Sequence, residues 1–366
     1  MVCLRTLICV AALTVIAAAD ARAMDPNAKQ ADAGAGPIKM RVTKCLVANK
    51  SHSGTPCPEP QLSAGGNQAQ QIASHLARAW YFIDMQDLKR ARSEADAILA
   101  IDPKDLQARH LSARISLTLA DIPRAEADLD LARKQAPEDP DLHATYAKLL
   151  QYRPADTESL REFLAVVQKH PSHLYAREEA AQLLMKSREY RVALANFNYL
   201  IEHKPSGELF VQRAQAFLAL GQPQSAAADF SSALVLDPEN YILLVSRAEA
   251  YALAQQDEPA VKDLNSLLAI VDGTPHYALG NADRAKLLAE RARSLARLHR
   301  FADAADDMME ALSIGGSSAI LRAQVFLRRN GFPEVPIDGK DAPVLRQAIS
   351  ACFNLNACFQ GIMQSI

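Results

Sequence analysis

The sequence predicts an all-α chain of about seven antiparallel helix pairs in tandem, on three observations. Pro103, Pro137, Pro171 and Pro205 stand 34 residues apart, and Pro238 follows after 33. A small residue, Ala91, Ala125, Ser159, Ala193 or Ala226, precedes each of these prolines by 12 positions. Between these marks the apolar residues recur at helical spacing. Self-similarity at such a period is the signature of stacked helical hairpins.

The clearest unit reads Phe210-x3-Ala214-x2-Phe217, then Ala226-x3-Phe230-x2-Ala233-x4-Pro238. Ala214 and Ala226 have almost no side chain, so two helices can cross closely there, and Phe217 and Phe230 fill the space on either side. Pro238 cannot continue a helix and closes the unit. First helices are predicted near residues 72–85, 106–119, 140–152, 174–187, 207–220, 241–254 and 285–298, each followed after a short turn by a second helix. Pro123, Pro154, Pro223 and Pro259 fall in those turns or at the first residues of second helices, where a missing N–H costs little. Ser172, Ser206 and Asn240 stand where first helices need an N-cap. Between Ala260 and Ala304 the interval widens to 44, which places a loop around Asp272–Ala282, marked by Gly273, Pro275 and Gly280.

This order of small, large and proline positions resembles the tetratricopeptide repeat family over about residues 69–316. Ser159 departs from the pattern at a small position, and Ala95 and Ser116 stand where large residues are usual. The resemblance implies a right-handed superhelix whose concave face, lined by first helices, takes up a segment of another protein. It further implies one groove row of Trp80, Arg114, Lys148, Gln182, Gln215, Glu249 and Arg293. A second row holds Ile83, Leu117, Gln151, Met185, Leu218, Ala252 and Ala296, with Tyr152, Lys186 and Arg297 beside the two. Trp80 and Arg114 do not reproduce the Asn- and Lys-containing clamp of members that grip chaperone C-termini. As the only tryptophan, Trp80 is the best single anchor candidate, since large amphipathic rings dominate binding energy. It competes with a reading in which the ring packs under the N-terminal segment.

The two ends carry different signals. Met1–Arg5 give a positive start, Leu7–Ala19 an apolar run and Ala21-Arg22-Ala23 a small-x-small cleavage pattern, so the expectation is a secretory leader removed near Ala23 and a periplasmic or secreted chain. The apolar run is too short to span a membrane, and no later segment is apolar all round for that length. Cys3 and Cys9 lie in the leader, so no lipid anchor is expected. Cys45, Cys57, Cys352 and Cys358 remain, an even set in an oxidising compartment, and local pairs 45–57 and 352–358 are the easiest disulfides. A metal site of Cys45, His52 and Cys57 is the rival, with three ligands and no CxxC spacing. Residues 24–66 thus read as a polar stretch followed by a stapled cap. From Ile320 the pattern Gln324-x2-Leu327-x3-Gly331-Phe332, then Pro336-Ile337-Asp338-Gly339 and Ala348-Ile349, resembles the small peptidoglycan-binding module of exported wall-associated proteins. Ala342 and Leu345 depart from it. The competing reading makes residues 318–366 the cap that ends the array.

Charge and motif content narrow the function. A formal net charge of −2 over 366 residues argues against nucleic acid as a partner, since phosphate binding relies on a clustered basic surface. The nine histidines form no HExxH and no i,i+4 pair, and there is no GxSxG and no Gly-rich phosphate loop, so neither catalysis, a cofactor nor a bound metal is expected. Mixed charges such as Arg124, Glu126, Asp128, Asp130 and Arg133 read as solvated helix faces. The sequence therefore predicts an exported scaffold that holds an envelope protein or peptide segment, with peptidoglycan as a further partner if the C-terminal resemblance is functional.

Overall fold

The computed structural model describes residues 59–62, 66–273, 281–355 and 358–364. The expected leader, the Cys45–Cys57 staple and the rival site at His52 lie outside them. The described residues form 17 helices and no strand. Seven pairs follow in order. They are α1 (Gln68–Asp84) and α2 (Leu88–Ile101), α3 (Leu106–Thr118) and α4 (Ile122–Gln135), α5 (Pro140–Leu150) and α6 (Asp156–Lys169), and α7 (Leu174–Lys186) and α8 (Tyr190–His203). Then come α9 (Gly207–Ala219) and α10 (Pro223–Leu236), α11 (Tyr241–Leu253) and α12 (Asp257–Gly273), and α13 (Asn281–Arg297) and α14 (Phe301–Ile314). Three more, α15 (Gly316–Arg329), α16 (Pro343–Asn354) and α17 (Phe359–Met363), complete the chain. None is long and apolar enough to cross a membrane.

The chain divides into two compact units at Leu183/Leu184, within α7. In the first unit, Ala91 and Ala95 of α2 are fully buried against Phe82 of α1 and Ile115 of α3. Leu129 of α4 bridges α3 and α5 with Leu117 and Leu142, and Phe163 of α6 does so for α5 and α7 with Ala147 and Ala180. Each pair thus buries its apolar face against the next first helix, so the core is a chain of nearest-neighbour contacts. Ser159 fits a close crossing because its buried hydroxyl donates to the Ala147 carbonyl at 2.7 Å. The second unit repeats the scheme around Ala214, Ala226 and Phe230, and then around Leu264 and Leu288.

Local caps follow the repeat with one correction. Asn67, Asp87, Asp105, Asp139, Ser206 and Asn240 accept backbone N–H groups at the starts of their helices. At α7 the capping acceptor is His173 Nδ1, at 3.1 Å from the Ala176 amide, rather than the exposed Ser172. The imidazole reaches further than a hydroxyl, and its other nitrogen meets Asp141 Oδ1 at 3.0 Å. A second correction concerns charge. Asp128 is not solvated but 8% exposed, and it accepts from Ser112 at 2.6 Å and Arg109 at 3.3 Å.

Asp128 belongs to a series. Arg213–Asp229, Arg247–Asp263 and Arg291–Asp307 are bidentate pairs with N–O distances of 2.5–2.8 Å, each linking the two helices of one repeat across 16 residues. Arg78 and Glu94 make the same step at 2.8 Å. Arg78 also holds Glu59 and the Pro60 carbonyl, which ties residues 59–62 over α1.

At the C-terminal end α15–α17 continue the core of the last pair. Leu312, Ala323, Leu327, Leu345, Ile349 and Cys352 are buried in one cluster with Ala292 and Met308. The expected disulfide Cys352–Cys358 is present, with Cα atoms 5.4 Å apart. Gln324, fully buried, accepts from the Asp338 and Gly339 amides and donates to Asp338 Oδ1 and the Lys340 carbonyl, so one side chain holds the whole turn. Gly339 in that turn has φ +66°, a conformation that costs glycine little.

Candidate functional site

The expected binding row lies on first helices, which the repeat spacing places one after another. In the first unit Trp80 of α1 is half-buried, and the Arg114 guanidinium of α3 lies 5.8 Å from its ring centre. Ile83 is only 3% exposed, packed with Phe82, Ala91 and Ile98, so it offers no surface to a ligand. Lys148 of α5 binds both oxygens of Glu179 at 3.1 Å, and Gln151 donates to the same carboxylate at 3.1 Å. Glu179, on α7, is 4% exposed. Tyr152 is 44% exposed and its hydroxyl donates to the Leu117 carbonyl at 2.8 Å. Gln182 is half-buried on α7. Much of this row therefore ties one first helix to the next.

A network that motif reading missed lies on the same helices. His110 Nε2 meets Thr145 Oγ1 at 2.7 Å, Thr145 donates to the Asp141 carbonyl at 2.8 Å, and His173 binds the Asp141 carboxylate. Burial, helped by repulsion from Arg114, pushes the His110 pKa down to about 3. The ring is neutral, and its Nε2–H donates to Thr145. The His173 hydrogen bond holds the Asp141 carboxyl below its usual range. The signal was the repeat itself, because His110 and Thr145 stand 35 residues apart and Asp141 and His173 stand 32 apart, in neighbouring units.

In the second unit Lys186 is exposed and Gln215 half-buried. Arg297 grips Asp257 through two nitrogens at 2.5–2.9 Å and touches the Ala252 carbonyl at 3.3 Å, so it acts within the packing of α11–α13. Arg293 donates to Glu290 at 2.9 Å, with its guanidinium 5.2 Å from the Phe359 ring centre. Glu249 of α11 differs from all of these. Its Oε2 is buried with no hydrogen-bond partner. Burial first, and the Glu290 charge second, raise its carboxyl above the usual range. Buried Glu94, Asp128, Glu179, Asp229, Asp257, Asp263 and Asp307 each meet an Arg or Lys of the chain. Among the described residues no three His, Cys, Asp or Glu side chains group as metal ligands would.

Residues 82–149 match the tetratricopeptide repeat family. The repeats within residues 82–149 are tetratricopeptide repeats. DnaJ homolog subfamily C member 3 of Gallus gallus is 24% identical over 242 residues, covering 61% of this chain and 47% of its own length. The chain thus spans about half the length of that curated relative. Three solved structures are similar in fold. A tetratricopeptide repeat protein from Parabacteroides merdae is 17% identical, with 68% of this chain and 94% of that chain covered and a TM-score of 0.41. The C-terminal part of a repeat protein from Cytophaga hutchinsonii is 17% identical, with 64% and 93% covered and a TM-score of 0.49. PilW, a type IV pilus biogenesis factor, is 18% identical, with 57% and 97% covered and a TM-score of 0.48.

Proposed function

We propose that this tetratricopeptide repeat protein is an exported interaction scaffold that takes a segment of an envelope protein along its first helices. The observation that carries the reading is Glu249, a half-buried acid whose buried Oε2 the chain leaves unmatched although it matches seven buried acids. A buried acceptor without a donor costs roughly 1–3 kcal/mol, and a partner segment bearing Lys, Arg or a backbone N–H recovers it. Trp80 and Arg114 supply an aromatic surface and a charge in the first unit. Export rests on the leader pattern of residues 1–23 and is supported by the Cys352–Cys358 disulfide. Capture of the partner from native envelope extract should fall for Glu249→Gln while folding is retained. Unchanged capture would remove Glu249 from the contact.

A second reading adds peptidoglycan as a ligand of residues 318–366. It is favoured by the turn that Gln324 holds, which leaves Asp338 and Lys340 exposed. Leu345, at a position where the resemblance expects Thr, is instead fully buried in the shared core, as a cap requires. Sedimentation of the mature chain with purified sacculi in high salt, abolished by removing the module, would support it.

A further inference from the structure

Helix α15 has two unlike faces. Ala319, Ile320, Ala323, Gln324 and Leu327 point into the core. On the other side Leu321, 40% exposed, joins Val325, Phe326, Arg322 and Arg329 around a surface hollow of about 300 Å³. Leu321, Val325 and Arg329 follow at steps of four, as do Arg322 and Phe326, so the hollow is an apolar floor between two guanidinium groups. Its Phe326 wall is held in place, since α17 crosses so tightly that any side chain at Gly361 would overlap that ring.

Charge defines what the hollow would accept. Between Gly316 and Arg329 the charged residues are Arg322, Arg328 and Arg329, with no Asp or Glu among them. Arg213, Arg247, Arg291 and Arg297 in the same unit each grip a carboxylate of the chain. Arg328 and Arg329 grip none among the described residues. Their place in the last helical turn favours cations there, but it does not account for an apolar floor turned to solvent between them and Arg322.

We propose that this face of α15 docks an acidic protein segment, which inserts one bulky apolar side chain against Leu321, Val325 and Phe326 while flanking carboxylates meet Arg322 and Arg329. An apolar anchor in a pocket with a charged rim is the common form of a binding hot spot, and guanidinium groups bind carboxylates in two-point geometry. The size of the hollow suits one side chain. A membrane surface would need an apolar face running the length of a helix, and here the stripe covers about two turns. This surface shares no residue with the first-helix row, so the two readings fail separately.

The probe is a random dodecapeptide display library selected on the immobilised mature chain, followed by synthesis of the enriched peptides. The expected outcome is enrichment of sequences with two or more Asp or Glu residues flanking one Leu, Phe or Trp. The double variant Arg322→Glu/Arg329→Glu, with its fold checked by melting, should weaken binding by about tenfold or more. The Arg322→Lys/Arg329→Lys variant should retain part of it. No enrichment, basic consensus sequences, or binding indifferent to charge reversal would overturn the proposal. Loss of binding with Glu249→Gln would overturn it in favour of the first-helix row. Sedimentation with phosphatidylglycerol vesicles without any acidic peptide would overturn it in favour of a membrane surface.

Discussion

Glu249 and His110 are titratable groups with opposite consequences for stability. Burial and Glu290 raise the Glu249 carboxyl, so the free native state resists its ionisation more than the unfolded chain does. The associated stability is present at acid pH and is lost as pH rises through the folded value. Glu249→Gln should therefore raise the melting temperature by a few degrees near pH 7, with the gain vanishing below the ordinary carboxylate range. A melting temperature lowered at pH 7 would mean that Glu249 already has a partner. The His110 pKa lies far below that of a free imidazole, so the unfolded chain takes up a proton that the native state refuses. Native stability should fall as pH drops from about 6.5 toward 3, and His110→Gln should flatten that slope in an acid denaturation series. An unaltered slope would remove His110 as its source.

At the scale of the helix pair, the turns and the ion-pair series set the geometry. Gln86, Ala120, Arg188, Gln255 and His299 have φ between +56° and +65°, and Gly221 has +72°, each one residue before a second-helix N-cap or start. The Asp121 amide donates back to the Ser116 carbonyl at 2.8 Å, and the same i to i−5 bond recurs at Asp87, Glu189, Gln222, Gln256 and Arg300. This is the six-to-one closure of a left-handed helix stop. Ala120 gains nothing from its side chain there, so Ala120→Gly should stabilise the protein by about 1 kcal/mol in thermal unfolding. Asp229→Ala should do the reverse, costing about 3–5 kcal/mol, because Arg213 would be left half-buried without its acid. The helix positions were legible because small residues and prolines keep a strict period. These turns were not, since only Gly221 shows the residue type that a left-handed turn favours. The Arg–Asp series was hidden for another reason: a step of 16 joins two helices, and no single-helix periodicity reveals it. Ile83 shows the same limit on the row, since spacing alone does not separate a groove wall from the core beneath it.

Within each unit the hairpins bury their apolar faces against their neighbours, so the ends of the chain need covers. Residues 59–62, tied by Arg78, cover the first helix, and α15–α17 close the last pair with a core clipped by Cys352–Cys358. Within each unit, first helices carry half-buried polar and aromatic side chains at repeat spacing. The most direct test places a photoactivatable cross-linking residue at Gln215, on the row, or at Ala228, exposed on the second helix of the same repeat, in cells that make the full chain. Scaffold function along the first helices predicts a discrete protein adduct in the envelope fraction from Gln215 and none from Ala228. Equal adducts from both positions, or an adduct from Ala228 alone, would contradict it.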